Sequence, residues 1–220
     1  MKKLMIFDLD GTLMNTSEGV VASVIHTYQT EGIPLPQEDI ASMFIGPPIQ
    51  IGFQKALGVG FEEAQRLAKI FRDYYKGDAL LLAEPYPDIF RLLDACRAAG
   101  IRTAVATYKR QDYARRLLTH FGFDRYMQTM LGADMEGKLT KADIIRACLT
   151  ECGCAPEDAV MIGDSTNDAT GAQEAGIDLI GVTYGFGFHS HADVLACENA
   201  IGAADSAMEV LSILRKDGNS

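Results

Sequence analysis

The chain has 220 residues, 48% of them hydrophobic, enough for a sizeable core in one large domain or one domain with an insertion. A formal net charge of −10 argues against an electrostatic grip on nucleic acid or an anionic membrane, and no apolar run approaches the ~20 residues of a membrane span. The five cysteines form no C-x-x-C pair and Met-Lys-Lys leads straight into an apolar stretch with no small-residue cleavage site, so the expectation is a cytoplasmic protein with reduced thiols.

The first element is the stretch "MIFDLDGTL", residues 5–13. Leu4-Met5-Ile6-Phe7 reads as a short buried strand broken at Gly11. Asp8 and Asp10 follow one residue apart, and alternate strand residues face the same way. Aspartate is a poor strand former, is costly to bury, and repels a second aspartate on the same face. A fold that keeps the pair must supply positive charge beside it.

Residues 16 to about 81 read as helical. Val20, Val21, Val24, Ile25 and Tyr28 recur at helical spacing behind a Thr16 or Ser17 cap. "FIGPPIQIGFQKALG" (44–58) is a Gly-Pro turn leading into a shorter helix, and "FEEAQRLAKIFRDYYKG" (61–77) is a second long amphipathic helix. Lys55, Arg66, Lys69, Arg72 and Lys76 read as the wet faces of these helices. The Pro-rich "AEPYPD" (83–88) marks a return to a different pattern.

From there strands and helices alternate. "IRTAVAT" (101–107), "DAVMIGD" (158–164) and "IDLIGVT" (177–183) read as buried strands, with "MQTMLGAD" (127–134) a weaker one. Cys152-Gly-Cys154 reads as a helix end. Strands separated by helices of about ten to fifteen residues imply a parallel sheet covered on both faces. The expected architecture is a Rossmann-like α/β core from residues 1–15 and 82–220, with a helical cap, 16–81, inserted after the first strand.

Ligands bind an open parallel sheet beyond the carboxyl ends of its strands. Those ends hold Asp8 and Asp10, Thr107, and Asp164 and Asp168, with Lys138 or Lys141 at the start of the helix before the last pair. Grouped carboxylates make a hard-oxygen site suited to Mg²⁺, which holds one or two of them together with a substrate phosphate. The counter-charge demanded by the aspartate pair is therefore expected to be a metal plus a lysine.

In order, "DLDGT", Thr107 in "AVATYK", the lysine, and "GDSTND" resemble the four motifs of the haloacid-dehalogenase-like phosphotransferases. The resemblance covers the whole chain, since the helical insertion lies where that family carries its mobile cap. "FIGPPIQIGF", "VATYK", "MIGDSTNDATGAQEAGID" and "GVTYGFG" are similar to the phosphoglycolate-phosphatase-like branch. The resemblance implies Asp8 as nucleophile, forming an aspartyl-phosphate, and Asp10 as the acid and then base. It implies that Thr107 and the Tyr108 backbone N–H hold the phosphoryl oxygens beside Lys141, whose slot matches better than that of Lys138. It implies Mg²⁺ on Asp8, the Asp10 carbonyl and Asp164, with Asp168 bound directly or through water. Two departures stand out: no proline follows the lysine, and Asn15 replaces an Asp that many relatives carry near the cap hinge.

The implied partner is a small phosphorylated metabolite, handled by a monomer or homodimer. The implied activity is a Mg²⁺-dependent phosphatase on a phosphoglycolate-like ester. A β-phosphoglucomutase-like sugar phosphomutase is the alternative, followed by a 5'-nucleotidase or a pyrophosphatase. Asp10 argues against a dehalogenase, which has no use for an acid there. Lys109 and Arg110 are candidates to meet a second anionic group on the substrate. Ile45 and Gln50, in the turn holding Gly46-Pro47-Pro48, are candidates to contact it from the cap. His189 and His191 suit a solvated loop better than a zinc site.

Overall fold

The computed structural model describes residues 2–46, 48–135 and 138–217. In chain order the first half holds β1 (Leu4–Phe7), β2 (Met14–Asn15), α1 (Ser17–Thr30), α2 (Ile40–Phe44), α3 (Ile49–Leu57), α4 (Phe61–Tyr75), β3 (Glu84–Pro85) and α5 (Ile89–Ala98). Then come β4 (Arg102–Arg110), α6 (Gln111–His120), β5 (Met127–Ala133), α7 (Lys141–Cys152) and β6 (Ala159–Gly163). The chain continues through α8 (Thr166–Ala175), β7 (Asp178–Val182), α9 (His191–Leu195), β8 (Ala200–Ala204) and α10 (Ala207–Asp217).

An all-apolar strand such as β1 is stable only where both its faces are covered. It sits inside a six-stranded sheet of order β5-β4-β1-β6-β7-β8, and every pairing in it is parallel. Strand alternation sends Met5 and Phe7 into one core, and Leu4 and Ile6 into another. The first core is closed by Leu92 and Leu93 of α5, Leu117 of α6, and Val210 and Leu214 of α10. The second is closed by Ile144, Ile145 and Cys148 of α7 and by Ala169 and Ala172 of α8. This is the Rossmann-like parallel sheet that the alternating pattern implies.

Several boundaries differ from the expectation. Strand β4 runs to Arg110 rather than stopping at Thr107, with irregular pairing to β5 between Ala106 and Arg110. The polar Tyr-Lys-Arg sequence hides this extension, which needs Gly132 of β5: a Cβ there would lie 2.4 Å from the Lys109 carbonyl oxygen. Strand β8 escapes the sequence reading because Ala-Ile-Gly-Ala-Ala sits half-exposed at the sheet edge with no apolar alternation. Helix α2 also escapes it, being five residues long and started by Asp39, which accepts from the Ala41 and Ser42 amides.

Helix α1 begins at Ser17, but neither proposed cap side chain serves it. Asn15 Oδ1 accepts from the Ser17 amide (3.1 Å) and hydroxyl (2.6 Å), while Thr16 turns its hydroxyl to Asp10. The chain's exit from the sheet and its return are joined: β2 pairs antiparallel with β3, Met14 opposite Pro85 and Asn15 opposite Glu84. Between them α1–α4 enclose the buried rings of Tyr28, Phe44 and Phe53, with Phe44 and Phe53 centroids 5.0 Å apart. Arg66 pairs with Glu31 and Glu63, and Lys69 and Lys76 pair with Asp73, on the outer face as the helical pattern implies. Arg72 does not follow them: it is half-buried and points inward.

Gly153 ends α7 with φ +55°, so Cys152-Gly-Cys154 is a helix end. Ser190 caps α9, and His191 Nε2 lies 3.0 Å from Asp205. Among the described residues no helix is long and apolar enough to cross a membrane.

Candidate active site

Asp8 follows β1 on the face that α7 and α8 cover, and it is buried. Lys141, the first residue of α7, is also buried; its Nζ lies 2.7 Å from Asp8 Oδ1 and 2.8 Å from Asp168 Oδ1. A cation at a helix N-terminus opposes the helix dipole, so the two carboxylates must hold it there. Burial alone would lower the Lys141 ammonium, but the charges of Asp168 and Asp8 override it and raise it above the usual lysine range. Room for the lysine stem comes from α8, where a Cβ on Gly171 would lie 2.5 Å from the Lys141 Cγ. The Tyr108 hydroxyl accepts from the Lys141 amide at 2.9 Å, tying the start of α7 to the end of β4.

Asp168 is the third residue of α8 and closes a capping box with Ser165. Its Oδ2 accepts from the Ser165 amide (3.1 Å) and hydroxyl (2.7 Å). That leaves Oδ1 for Lys141: an ion pair at 2.8 Å, but without an aligned hydrogen bond. Asp168 therefore both caps the helix and faces the site. Asp164 ends β6 and is fixed by the loop after β7, where the Phe186 and Gly187 amides donate to Oδ2 at 2.7 and 3.2 Å. Gly11, with φ +85°, passes so close that a Cβ would lie 2.2 Å from that oxygen.

The carboxylates of Asp8, Asp164 and Asp168 each offer an oxygen within 4.8 Å of the others. Burial pushes the Asp8 carboxyl up to about 6, against the pull of Lys141 and with a further push from Asp168 and Asp10. Burial and the charges of Asp168 and Asp8 hold Asp164 well above the usual carboxylate range. The Asp10 carboxylate is not one of this triad; the resemblance implies its carbonyl, not its carboxylate, as the metal ligand. Thr16 donates to its Oδ1 (2.5 Å), and Lys109 Nζ lies 2.7 Å from the same oxygen. Lys109 is buried against the Tyr75 ring of α4, its Nζ 5.1 Å from the centroid. Four carboxylates thus face two ammoniums, leaving a formal deficit of two positive charges. A buried all-oxygen triad with that deficit fits one hard divalent cation.

These groups open into a cavity of about 180 Å³ between the strand ends and the helices of the insertion. Asp8, Asp10, Thr107, Lys141, Ser165 and Asp168 line its floor, while Ile45, Gln50, Phe71, Arg72 and Tyr75 line its roof. Thr107 is buried, its hydroxyl accepting from the Lys109 amide at 3.1 Å. Lys138 is exposed in the loop before α7, with its amide bonded to Asp134, so Lys141 alone of the two candidates reaches Asp8. Lys109 and Arg110 line the cavity but already hold carboxylates: Lys109 the Asp10 side chain, and Arg110 that of Asp112 through two bonds of 2.6 Å. Gln50 accepts from the Arg72 guanidinium at 2.9 Å. Ile45 is buried, and Gly46 has φ +104°; Pro47, in the middle of the expected rigid turn, lies outside the described residues.

Sequence reasoning missed four contributors. Ser165 was readable as the start of a capping box, S-x-x-D. The Phe186 and Gly187 amides lie in a quoted motif, but backbone donors leave no side-chain signature. Arg72 gave no signal, because its spacing matches that of the solvated cations around it.

A family model described as haloacid dehalogenase-like hydrolase matches residues 5–182. The chain is 37% identical over 186 residues to the tyrosine-protein kinase PtkA of Mycobacterium tuberculosis, covering 84% of this chain but only 63% of that protein. It is 36% identical to a 5'-nucleotidase of Pseudomonas aeruginosa, covering 83% of each. It is 32% identical to a phosphoglycolate phosphatase of Agrobacterium fabrum, covering 83% of this chain and 81% of that one. The crystal structure of a predicted phosphatase from Clostridium acetobutylicum superposes with a TM-score of 0.89 at 31% identity, covering 98% of this chain and 99% of that one.

Proposed function

The chain belongs to the haloacid dehalogenase-like hydrolase family, and from that premise we propose that it is a Mg²⁺-dependent phosphatase of small phosphomonoesters. The observation that carries this reading is Asp8 at a strand end, bonded to Lys141 and opening into a cavity roofed by the helices of residues 16–81. One Asp8 oxygen attacks the phosphorus, the ester P–O bond breaks, and an aspartyl-phosphate forms. Asp10, oriented through Oδ1 by Thr16 and Lys109, would carry on its other oxygen the proton given to the leaving alkoxide, and then take one from the water that cleaves the acyl-phosphate. Lys141 and Thr107 meet the phosphoryl oxygens as charge moves onto them. Asp8, Asp164 and Asp168, with the Asp10 carbonyl, would hold Mg²⁺. When bound, that ion neutralises the phosphoryl group and lets two negative partners approach.

Residues 16–81 act in this reading as a cap whose roof residues exclude water and bulky substrates. A cavity of about 180 Å³ suits a small leaving group, such as that of a phosphoglycolate-like ester, better than a phosphoprotein. Phosphate release from p-nitrophenyl phosphate and from a panel of small phosphate esters tests this, with no nucleotide added. Release with Mg²⁺, silenced by chelator and restored by Mg²⁺, is expected. Turnover that requires a nucleotide donor points to a kinase, and full activity in excess chelator removes the metal from the reading.

A further inference from the structure

Four cations line the cavity, and three of them already hold carboxylates. Lys141 bridges Asp8 and Asp168, Lys109 holds Asp10, and Arg110 is locked by two bonds onto Asp112. Arg72 of α4 is the exception. Its guanidinium is half-buried in the roof, and among the described residues its side chain meets only a neutral partner, Gln50 Oε1 at 2.9 Å. A guanidinium offers five N–H donors, so most of its fork is not taken up by that single amide. Its surroundings are unfavourable as they stand: burial, then the positive charge of Arg110, push the group below its usual range. An anion arriving in the cavity relieves both the burial and the repulsion.

We propose that Arg72, steadied by Gln50, is the anchor for a second anionic group on the substrate, so that the preferred ester carries a carboxylate or a second phosphate besides the phosphoryl group transferred. This rests on the phosphatase reading and narrows it to small phosphate compounds that carry a second anionic group. The division of labour is physical: the floor takes the phosphoryl group on Asp8 and Lys141, and the roof takes the other charge on Arg72. An extended substrate then bridges floor and roof, and its own charge helps to hold the roof helices down. Lys109 and Arg110, closer to Thr107 in sequence, already hold carboxylates, which leaves Arg72 the cation with the freer fork.

The test uses 2-phosphoglycolate, pyrophosphate and the uncharged-tail analogue 2-hydroxyethyl phosphate. In wild type, kcat/KM for one of the doubly anionic probes should exceed that for 2-hydroxyethyl phosphate. That ratio should fall by about 10- to 100-fold in Arg72→Met, the range for losing a charge-assisted bidentate contact. Arg72→Lys should recover part of it, and Gln50→Leu should lose less than Arg72→Met. Whichever of 2-phosphoglycolate and pyrophosphate shows the larger ratio identifies carboxylate or phosphate as the second anion. Titration calorimetry with the same probes on Asp8→Asn, with and without Arg72→Met, reads the preference without turnover. If no ester is hydrolysed, the phosphatase reading fails and the binding arm still decides the role of Arg72. Equal losses on all three probes, or a preference that survives Arg72→Met in folded protein, overturns the proposal.

Discussion

The floor and the roof of the cavity are built on opposite principles. Most charged side chains at or beneath the floor are tied down more than once: Asp164 by two backbone amides, Asp168 by a capping box and a lysine, Lys141 by two carboxylates, Asp10 by Thr16 and Lys109. Glycines at 11 and 171 remove the Cβ atoms that would collide with this packing. The roof has one half-buried cation on one amide, together with buried apolar and aromatic side chains. A site that performs one reaction on one phosphoryl group profits from a fixed floor. A surface that selects among leaving groups needs donors still free to bind.

The sharpest way to break this contrast is to remove the nucleophile. Asp8→Asn should lose about three or more orders of magnitude in kcat, because an amide cannot form the acyl-phosphate. Retention of more than a tenth of the wild-type rate on p-nitrophenyl phosphate would mean that Asp8 is not the nucleophile. Lys141→Met comes next. Removing a cation that stabilises the transferring group should cost about 10²- to 10³-fold in kcat. Stranding Asp8 and Asp168 in the core should also lower the melting temperature in chelator, since breaking a buried pair costs roughly 3–5 kcal/mol. An unchanged melting temperature would show that the floor is looser than its bonding implies.

Changes in the roof should be smaller and selective. Ile45→Ala and Gln50→Ala should each lose about tenfold in kcat/KM on the best small substrate and less on p-nitrophenyl phosphate, the size expected for one packing or polar contact. Equal losses on both substrates would reduce the segment from 45 to 50 to a connector.

The same contrast explains what could be read from the sequence. Asp8, Asp10, Thr107, Asp164 and Asp168 stand where apolar runs stop, and a parallel sheet brings strand ends together, so their proximity follows from strand pattern alone. Lys141 needed more, because Lys138 has the same chemistry three residues earlier. The resemblance favours Lys141, and the Thr140–Asp143 capping box shows the physical reason: it fixes where α7 starts and therefore which lysine faces inward. The partners of the Asp10 carboxylate were not legible, since Thr16 reaches it from the next turn of chain and Lys109 from a distant strand. Arg72 was misread for a related reason. Helical periodicity shows which residues share a face, and burial of that face against the end of β4 is a tertiary fact. Strand β8 was missed because small residues at a sheet edge carry no period to read.

Trapping the acyl-phosphate would decide the matter at the level of a single bond. The protein would be turned over with ³²P-labelled p-nitrophenyl phosphate and Mg²⁺, quenched in acid, digested, and its labelled peptide sequenced. The expected result is an acid-stable, hydroxylamine-sensitive label on the peptide containing Asp8, absent in Asp8→Asn. Label on any other residue, or sustained turnover under which borohydride reduction leaves Asp8 unmodified, would contradict a covalent route through this strand end.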